Sequence, residues 1–202
     1  MKVKICGIQN IETAKAACEY GVDALGFVFA RSKRQVTPEK ARDISKRLPN
    51  SVLKVGVFVN ESVAAVEELA AFCNLDYVQL HGDEDEEYLQ KLHIPAIQAF
   101  GVSSEQEVEQ AFASHAPYIL LDSPKGKYRG GNGTSFPWEL LRSLSSKQRQ
   151  RLIIAGGLSE ENVLEAIRIT APFMVDASSS LETNGKKDVE KIQKFIKKVK
   201  EC

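Results

Sequence analysis

The sequence predicts a (β/α)8 TIM barrel, and three observations carry that prediction. Short β-branched runs alternate with longer segments of helical periodicity along the whole chain. The strand-like runs number eight, and most are continuously apolar, as strands of a parallel sheet covered by helices are. Eight strand–helix units in 202 residues average about 25 residues each, short but workable for a compact closed barrel. A doubly wound open sheet fits the same alternation, but the eighth unit completes a closed count and favours the barrel.

The expected strands are Val3 to Cys6, Ala24 to Phe29, Leu53 to Val59, Tyr77 to Leu80, Ala96 to Phe100, Tyr118 to Leu121, Leu152 to Ala155 and Phe173 to Asp176. Between them, Asn10 caps a helix that runs from Ile11 to Cys18 and ends at Gly21. Thr37 precedes Pro38 at a first helical turn. Ser62, before Ala65 to Ala71, and Ser159 to Asn162 open two more helices. The last helix, Asp188 to Lys200, sets Val189, Ile192, Ile196 and Val199 on one stripe, with lysines opposite that read as a solvated face. No Pro-, Gly- or Ser-rich linker divides the chain, so residues 1–202 are expected to form one catalytic domain. The longest non-periodic stretch, Asp122 to Thr134, follows a strand end and reads as an active-site loop.

Charge narrows the function classes. The 27 Lys plus Arg balance 27 Asp plus Glu, so no global field draws a nucleic acid, and no local basic patch is obvious. Cys6, Cys18, Cys73 and Cys202 form no CxxC pair, which argues against a disulfide framework or a cysteine-rich zinc module. Free thiols, no signal-peptide pattern at the N-terminus and no membrane-length apolar window make a cytoplasmic protein with no membrane partner the expectation.

In a parallel barrel the chemistry gathers where strands end and βα loops begin. Cys6 ends the first strand; it reads either as a small core hydrophobe or as a thiol at the catalytic face. Asp122 ends the sixth; it reads either as a turn cap or as a carboxyl whose apolar surroundings raise its pKa for general-acid work. On well-separated strands the two would face each other across the mouth, a geometry suited to proton transfer at two atoms of one small substrate. Arg31, Lys33 and Arg34 follow the second strand and could receive an anionic group. Gln79 and His81 flank Leu80 at the end of the fourth. Without a second histidine or cysteine at ligand spacing, no metal is expected, and His81 reads as a polar group lining the site or supporting one that does.

The glycine-rich Gly130 to Ser135 lacks a preceding strand and a following GKS or GKT, so it supports no nucleotide site. Ala155-Gly156-Gly157 and Ala177-Ser178-Ser179-Ser180, after strands seven and eight, are the better phosphate candidates: backbone N–H groups, hydroxyls and a short helix N-terminus would converge there.

These segments together resemble the phosphoribosylanthranilate isomerase family. The resemblance rests on Lys4-Ile5-Cys6-Gly7-Ile8, Gly26 to Phe29, Ser32 to Val36, Val55 to Asn60 and Val78-Gln79-Leu80-His81-Gly82-Asp83-Glu84. It continues through Leu120 to Asp122, Gly130 to Trp138, Ala155 to Leu158 and Val175 to Glu182, almost the whole chain. It implies an Amadori rearrangement in tryptophan biosynthesis, taking N-(5-phosphoribosyl)anthranilate to 1-(2-carboxyphenylamino)-1-deoxyribulose 5-phosphate, with no cofactor. It also implies roles: Asp122 as general acid at the ribose ring oxygen and Cys6 as general base at C2. Arg34 would pair with the anthranilate carboxylate, Gln79 and His81 would contact substrate, and Gly156, Gly157, Ser178 and Ser179 would hold the phosphate.

The chain departs from the family pattern at Ala177 for valine, Ser180 for glycine, Gln35 for tyrosine and Asn132 for threonine. Ser180 would disturb its loop if a positive φ is needed there, or would add a donor. A metal-dependent epimerase, an indole-pathway synthase and a binding-only phosphometabolite barrel are the rivals. The first lacks ligands, the second lacks a convincingly placed lysine and glutamate, and the third would have no use for a Cys6 and Asp122 pair. The expected partner is a small phosphosugar, with the protein a monomer or homodimer.

Overall fold

Side-chain caps set where the helices begin in the computed structural model, which describes residues 1–124 and 137–202. The glycine-rich segment Gly130 to Ser135, with Asn132, lies outside the described residues, as does most of the stretch read as an active-site loop. Asn10 accepts from the N–H of Thr13 and opens α1 (Ile11–Glu19), and the Gly21 N–H closes it on the Cys18 carbonyl. Thr37 caps α2 (Pro38–Ser45), Ser62 caps α3 (Val63–Cys73), and Asp85 and Ser104 cap α4 (Glu86–Lys91) and α5 (Glu105–Phe112). Ser145 and Gln148 form a reciprocal capping box on the short α6 (Ser146–Arg149). The Ser159 to Asn162 segment behaves differently from expectation. The Asn162 Oδ1 accepts from the Ser159 N–H behind it, so α7 (Val163–Thr170) starts without a side-chain cap.

The strands are β1 (Lys2–Cys6), β2 (Ala24–Val28), β3 (Leu53–Phe58), β4 (Tyr77–Leu80), β5 (Ala96–Gly101), β6 (Tyr118–Asp122), β7 (Leu152–Ile154) and β8 (Met174–Ala177). Each pairs in parallel with its chain neighbours, and β8 returns to β1 with Lys4 opposite Asp176, so the sheet closes and the open-sheet alternative falls away. The boundaries match the sequence expectation to within a residue.

Period-two alternation sorts the strand residues into two layers. Val3, Ile5, Leu25, Phe27, Ile119, Leu121, Leu152, Ile154 and Val175 point outward to the helices. Ala24, Val55, Ile97, Ala99, Leu120, Ile153 and Met174 fill the barrel itself. At the N-terminal end Tyr118 stacks on Phe173 with centroids 4.7 Å apart, and Tyr77 meets Tyr118 edge-on at 5.9 Å. The Lys2 ammonium lies 4.6 Å from the Phe173 centroid. This aromatic layer forms the floor.

Beyond β8 the chain adds a hairpin, β9 (Glu182–Thr183) and β10 (Lys186–Lys187), turned by Asn184 and Gly185, both at positive φ. The hairpin leads into α8 (Val189–Lys200), capped by Asp188. Its buried stripe is Ile192, Phe195, Ile196 and Val199, whereas Val189 is 36% exposed, a correction to the expected stripe. Val189 is the first residue of the helix, and Phe195, three residues past Ile192 and four before Val199, supplies the volume instead. Phe195→Ala should therefore lower the unfolding free energy by about 3–5 kcal/mol, read from the urea midpoint at unchanged slope.

Candidate active site

β1 carries two buried inward polar side chains, Lys4 and, one pleat higher, Cys6. The Cys6 thiol fits because its partner on β2 is Gly26. A Cβ on Gly26 would stand 2.9 Å from the Cys6 Sγ. Burial pushes the Cys6 thiol up; the Lys4 ammonium pulls it down, Asp176 pushes it up again, and Lys187 and Arg34 pull down more weakly. Desolvation prevails, which favours the neutral thiol before substrate arrives.

Asp122 ends β6, 4% exposed. Its Oδ1 accepts from the Ser123 N–H at 2.7 Å and the Ser123 hydroxyl at 3.2 Å, while its Oδ2 stands 3.8 Å from the His81 Nε2. Burial raises its pKa, outweighing the Ser123 hydrogen bonds and the Lys4 charge. A carboxyl raised in this way is suited to giving up a proton near neutral pH. The loop after β7 lies directly on it. Gly156 has φ +78°, and a Cβ there would meet the Ser123 N at 2.7 Å and the Asp122 Oδ1 at 2.8 Å, so only glycine lets this loop close over the acid.

Gly156 and its neighbour Gly157, at φ +63°, turn the β7 end, and the Gly157 carbonyl accepts from the Asn162 amide. Beside them, Ser178 donates to the Cys6 carbonyl at 3.0 Å, and Ser179 opens a 3-10 turn, Ser179–Leu181. Ser180 is absent from the residues at positive φ, so serine is accommodated without strain. Its hydroxyl donates to the Leu158 carbonyl and ties the two loops together.

The chain as a whole is similar to known proteins. Residues 3–198 match the family model described as N-(5'-phosphoribosyl)anthranilate (PRA) isomerase. The chain belongs to that family. A relative from Bacillus cereus (strain ATCC 14579), named N-(5'-phosphoribosyl)anthranilate isomerase, is 57% identical over 200 residues, 99% of each chain. The solved phosphoribosylanthranilate isomerase of Thermotoga maritima superposes with a TM-score of 0.90 at 44% identity, covering all of both chains. That of Thermus thermophilus gives 0.89 at 34%, covering 100% of this chain and 99% of the other.

Two of the residues singled out from the sequence of this isomerase-family chain already have side-chain partners. Gln79 is 2% exposed, and both ends of its amide are engaged: Oε1 accepts from the Lys4 Nζ at 3.0 Å and Nε2 meets the His81 Nδ1 at 3.1 Å. Its amide is thus held between Lys4 and His81. Arg34 runs over Gly7, where a Cβ would meet its Cδ at 2.7 Å, and grips Glu182 through Nε at 2.5 Å and Nη2 at 3.2 Å. Part of its guanidinium is therefore committed before any carboxylate arrives.

Four charged residues escaped the sequence reading. Lys4 is fully buried, with Nζ 2.8 Å from the Asp176 Oδ2. Burial alone would lower its pKa, but Asp176 and Cys6 raise it above the ordinary value, so it stays an ammonium. Lys187, on β10, donates to the Ser178 carbonyl at 2.8 Å, the Ser178 hydroxyl at 3.2 Å and Glu182 at 3.0 Å. The Glu182 carboxylate is about 2 despite its burial, because Arg34 and Lys187 hold the charged form. An Asn-Gly turn is the strongest short hairpin signal, and Asn184-Gly185 would have located this lysine and glutamate.

Asp122 yields a stability prediction with a definite sign. Its folded pKa is raised, so native protein binds more protons than unfolded chain between about 3.9 and the folded value, and stability falls as pH rises through that window. Asn cannot ionise and can keep the Ser123 hydrogen bonds. Asp122→Asn should melt at a higher temperature than wild type at neutral pH, and the gap should vanish below about pH 3.9, where both states of wild type are protonated.

Proposed function

We propose that this protein converts N-(5'-phosphoribosyl)anthranilate to 1-(2-carboxyphenylamino)-1-deoxyribulose 5-phosphate, the isomerisation named for its family, as a step of tryptophan biosynthesis. The observation that carries the residue assignment is the buried Asp122 carboxyl, with its pKa raised, at the same mouth as the Cys6 thiol, with two strands, β7 and β8, between them around the barrel. A family neighbour solved in complex with reduced 1-(o-carboxyphenylamino)-1-deoxyribulose 5-phosphate, 42% identical with a TM-score of 0.87, supports the same substrate class.

Asp122 donates its proton to the ribose ring oxygen. The C1–O bond breaks, and the anilino nitrogen lone pair forms the iminium, leaving Asp122 a carboxylate. The new positive charge adjoins C2 and favours thiolate over thiol at Cys6, which burial alone disfavours, so the thiol releases its proton to water before it acts as base. Cys6 then takes the C2 proton, the C–H electrons form the C1–C2 double bond, and the iminium π electrons return to nitrogen. The enolamine so formed ketonises, losing its hydroxyl proton and gaining one at C1. The substrate's own imine is the electron sink, so no cofactor enters.

Gly156, Gly157, Ser178 and Ser179 are assigned to the phosphate, as backbone donors and hydroxyls at the ends of β7 and β8. Arg34 is assigned to the anthranilate carboxylate through the part of its guanidinium that Glu182 leaves unused. The whole of residues 1–202 is read as one catalytic domain, acting in the cytoplasm as a monomer or homodimer on a small phosphosugar, with no nucleic-acid or membrane partner. Dimerisation is named for a Thermotoga maritima relative. Among the described residues no helix is long and apolar enough to cross a membrane.

Loss of the substrate's anthranilate fluorescence tests the assignment. Wild type should turn over freshly generated substrate, while Cys6→Ala and Asp122→Asn should each lose about 10²–10⁴-fold in kcat with the fold retained. Gly26→Ala should also impair kcat, because its Cβ occupies the space of the thiol. A folded wild type without turnover would overturn the isomerase reading, and an active Cys6→Ala would overturn the base.

A further inference from the structure

One buried chain of polar contacts runs across the inside of the barrel from β8 through β1 and β4 toward β6. Asp176 accepts from the Lys4 Nζ at 2.8 Å; Lys4 also donates to the Gln79 Oε1 at 3.0 Å. The Gln79 Nε2 lies 3.1 Å from the His81 Nδ1, and the His81 Nε2 faces the Asp122 Oδ2 at 3.8 Å. Lys4, Gln79, Asp122 and Asp176 are each less than a tenth exposed, and the His81 side chain is 15% exposed.

The direction of these hydrogen bonds is fixed from one end. A lysine ammonium has donors and no acceptor, so the Gln79 atom that faces it must be the amide oxygen. That leaves the Gln79 NH2 facing His81, and an NH2 group only donates, so the His81 Nδ1 must be the unprotonated acceptor. An imidazole with a bare Nδ1 carries its proton on Nε2, the nitrogen aimed at Asp122. Protonating Nδ1 would set N–H against NH2. Turning the amide over to relieve that would set NH2 against the Lys4 ammonium.

We propose that Lys4 and Gln79 are positioning residues that lock His81 as the neutral Nε2–H tautomer, a fixed donor directed at Oδ2 of Asp122, the oxygen that does not accept from Ser123. The proposal rests on the isomerase reading for its consequence but not for its geometry. When Asp122 has delivered its proton, the nearby Nε2–H favours the carboxylate left behind without itself giving up a proton, so the acid works beside a donor that needs no rearrangement. The same Lys4 ammonium lies within electrostatic reach of Cys6, so one buried cation favours the charged forms of both the base and the acid's conjugate.

The tautomer is directly measurable. In a background of His93→Gln and His115→Gln, whose side chains are 90% and 83% exposed, His81 is the sole histidine, and 15N NMR of the ring separates a protonated from a bare nitrogen. Wild-type His81 is expected to show protonated Nε2 and bare Nδ1 at about pH 7.5. Gln79→Glu presents a carboxylate oxygen to Nδ1 in nearly the same volume, and should move a proton onto Nδ1. With it kcat should fall about 10–100-fold while KM changes by less than about threefold. Gln79→Met, which removes both amide ends but leaves the Lys4–Asp176 pair, should abolish the preference for one tautomer.

A protonated Nδ1 in the wild-type background, or an unchanged His81 spectrum in Gln79→Glu or Gln79→Met, would overturn the proposal. The wild-type spectrum decides even if a variant fails to fold. An Nε2–H spectrum in a protein that does not turn over phosphoribosylanthranilate would defeat the isomerase reading and leave the tautomer lock standing, whereas the opposite pair of results would do the reverse.

Discussion

A fully buried ammonium on the first strand is the constraint around which this barrel is organised. Removing a lysine charge from water costs several kcal/mol, and the cost is tolerable only where a counter-charge and further acceptors stand in for the lost water. Lys4 finds them in Asp176 on the closing strand and Gln79 on the fourth. The pair is formed at the seam where β8 meets β1, with the two residues directly opposite in register. Sheet closure and the polar floor of the site are therefore one event: a strand slipped by a single residue would turn Lys4 outward and leave Asp176 buried without its cation.

Above that level, glycine governs how closely the reacting groups can be set. Gly26 gives the Cys6 sulfur its space on one side of the mouth, and Gly156 lets the β7 loop rest on Asp122 on the other. The hairpin after β8 adds a charged wall, in which Glu182 holds both Arg34 and Lys187, and Lys187 holds Ser178, itself bonded to the Cys6 carbonyl. The groups assigned to phosphate, carboxylate and proton transfer are thus braced through one another rather than standing separately on their loops.

Much of this was legible in the sequence because it depends on period and punctuation. Eight apolar runs gave the strands nearly to the residue, and Asn10, Thr37 and Ser62 marked helix starts that their side chains do cap. Cys6 and Asp122 stood out because they end strands. What escaped depends on partners distant in sequence. Lys4 looks like an ordinary polar residue in a strand until its neighbours Val3 and Ile5 are known to face the helices, which turns Lys4 inward; its partners are 75 and 172 residues away. The amide of Gln79 looked available to substrate for the same reason, since nothing local shows that Lys4 occupies its oxygen. The stripe of α8 was misjudged at Val189 and Phe195 because a helical pattern alone does not say where the sheet beneath begins.

The aromatic floor has a consequence of its own. Tyr77, Tyr118 and Phe173, with Lys2 beside them, stopper the end of the barrel opposite the reacting groups. Packing at that end lies away from Cys6 and Asp122, so the residues that steady the barrel and those that move protons occupy opposite faces and can change independently of one another.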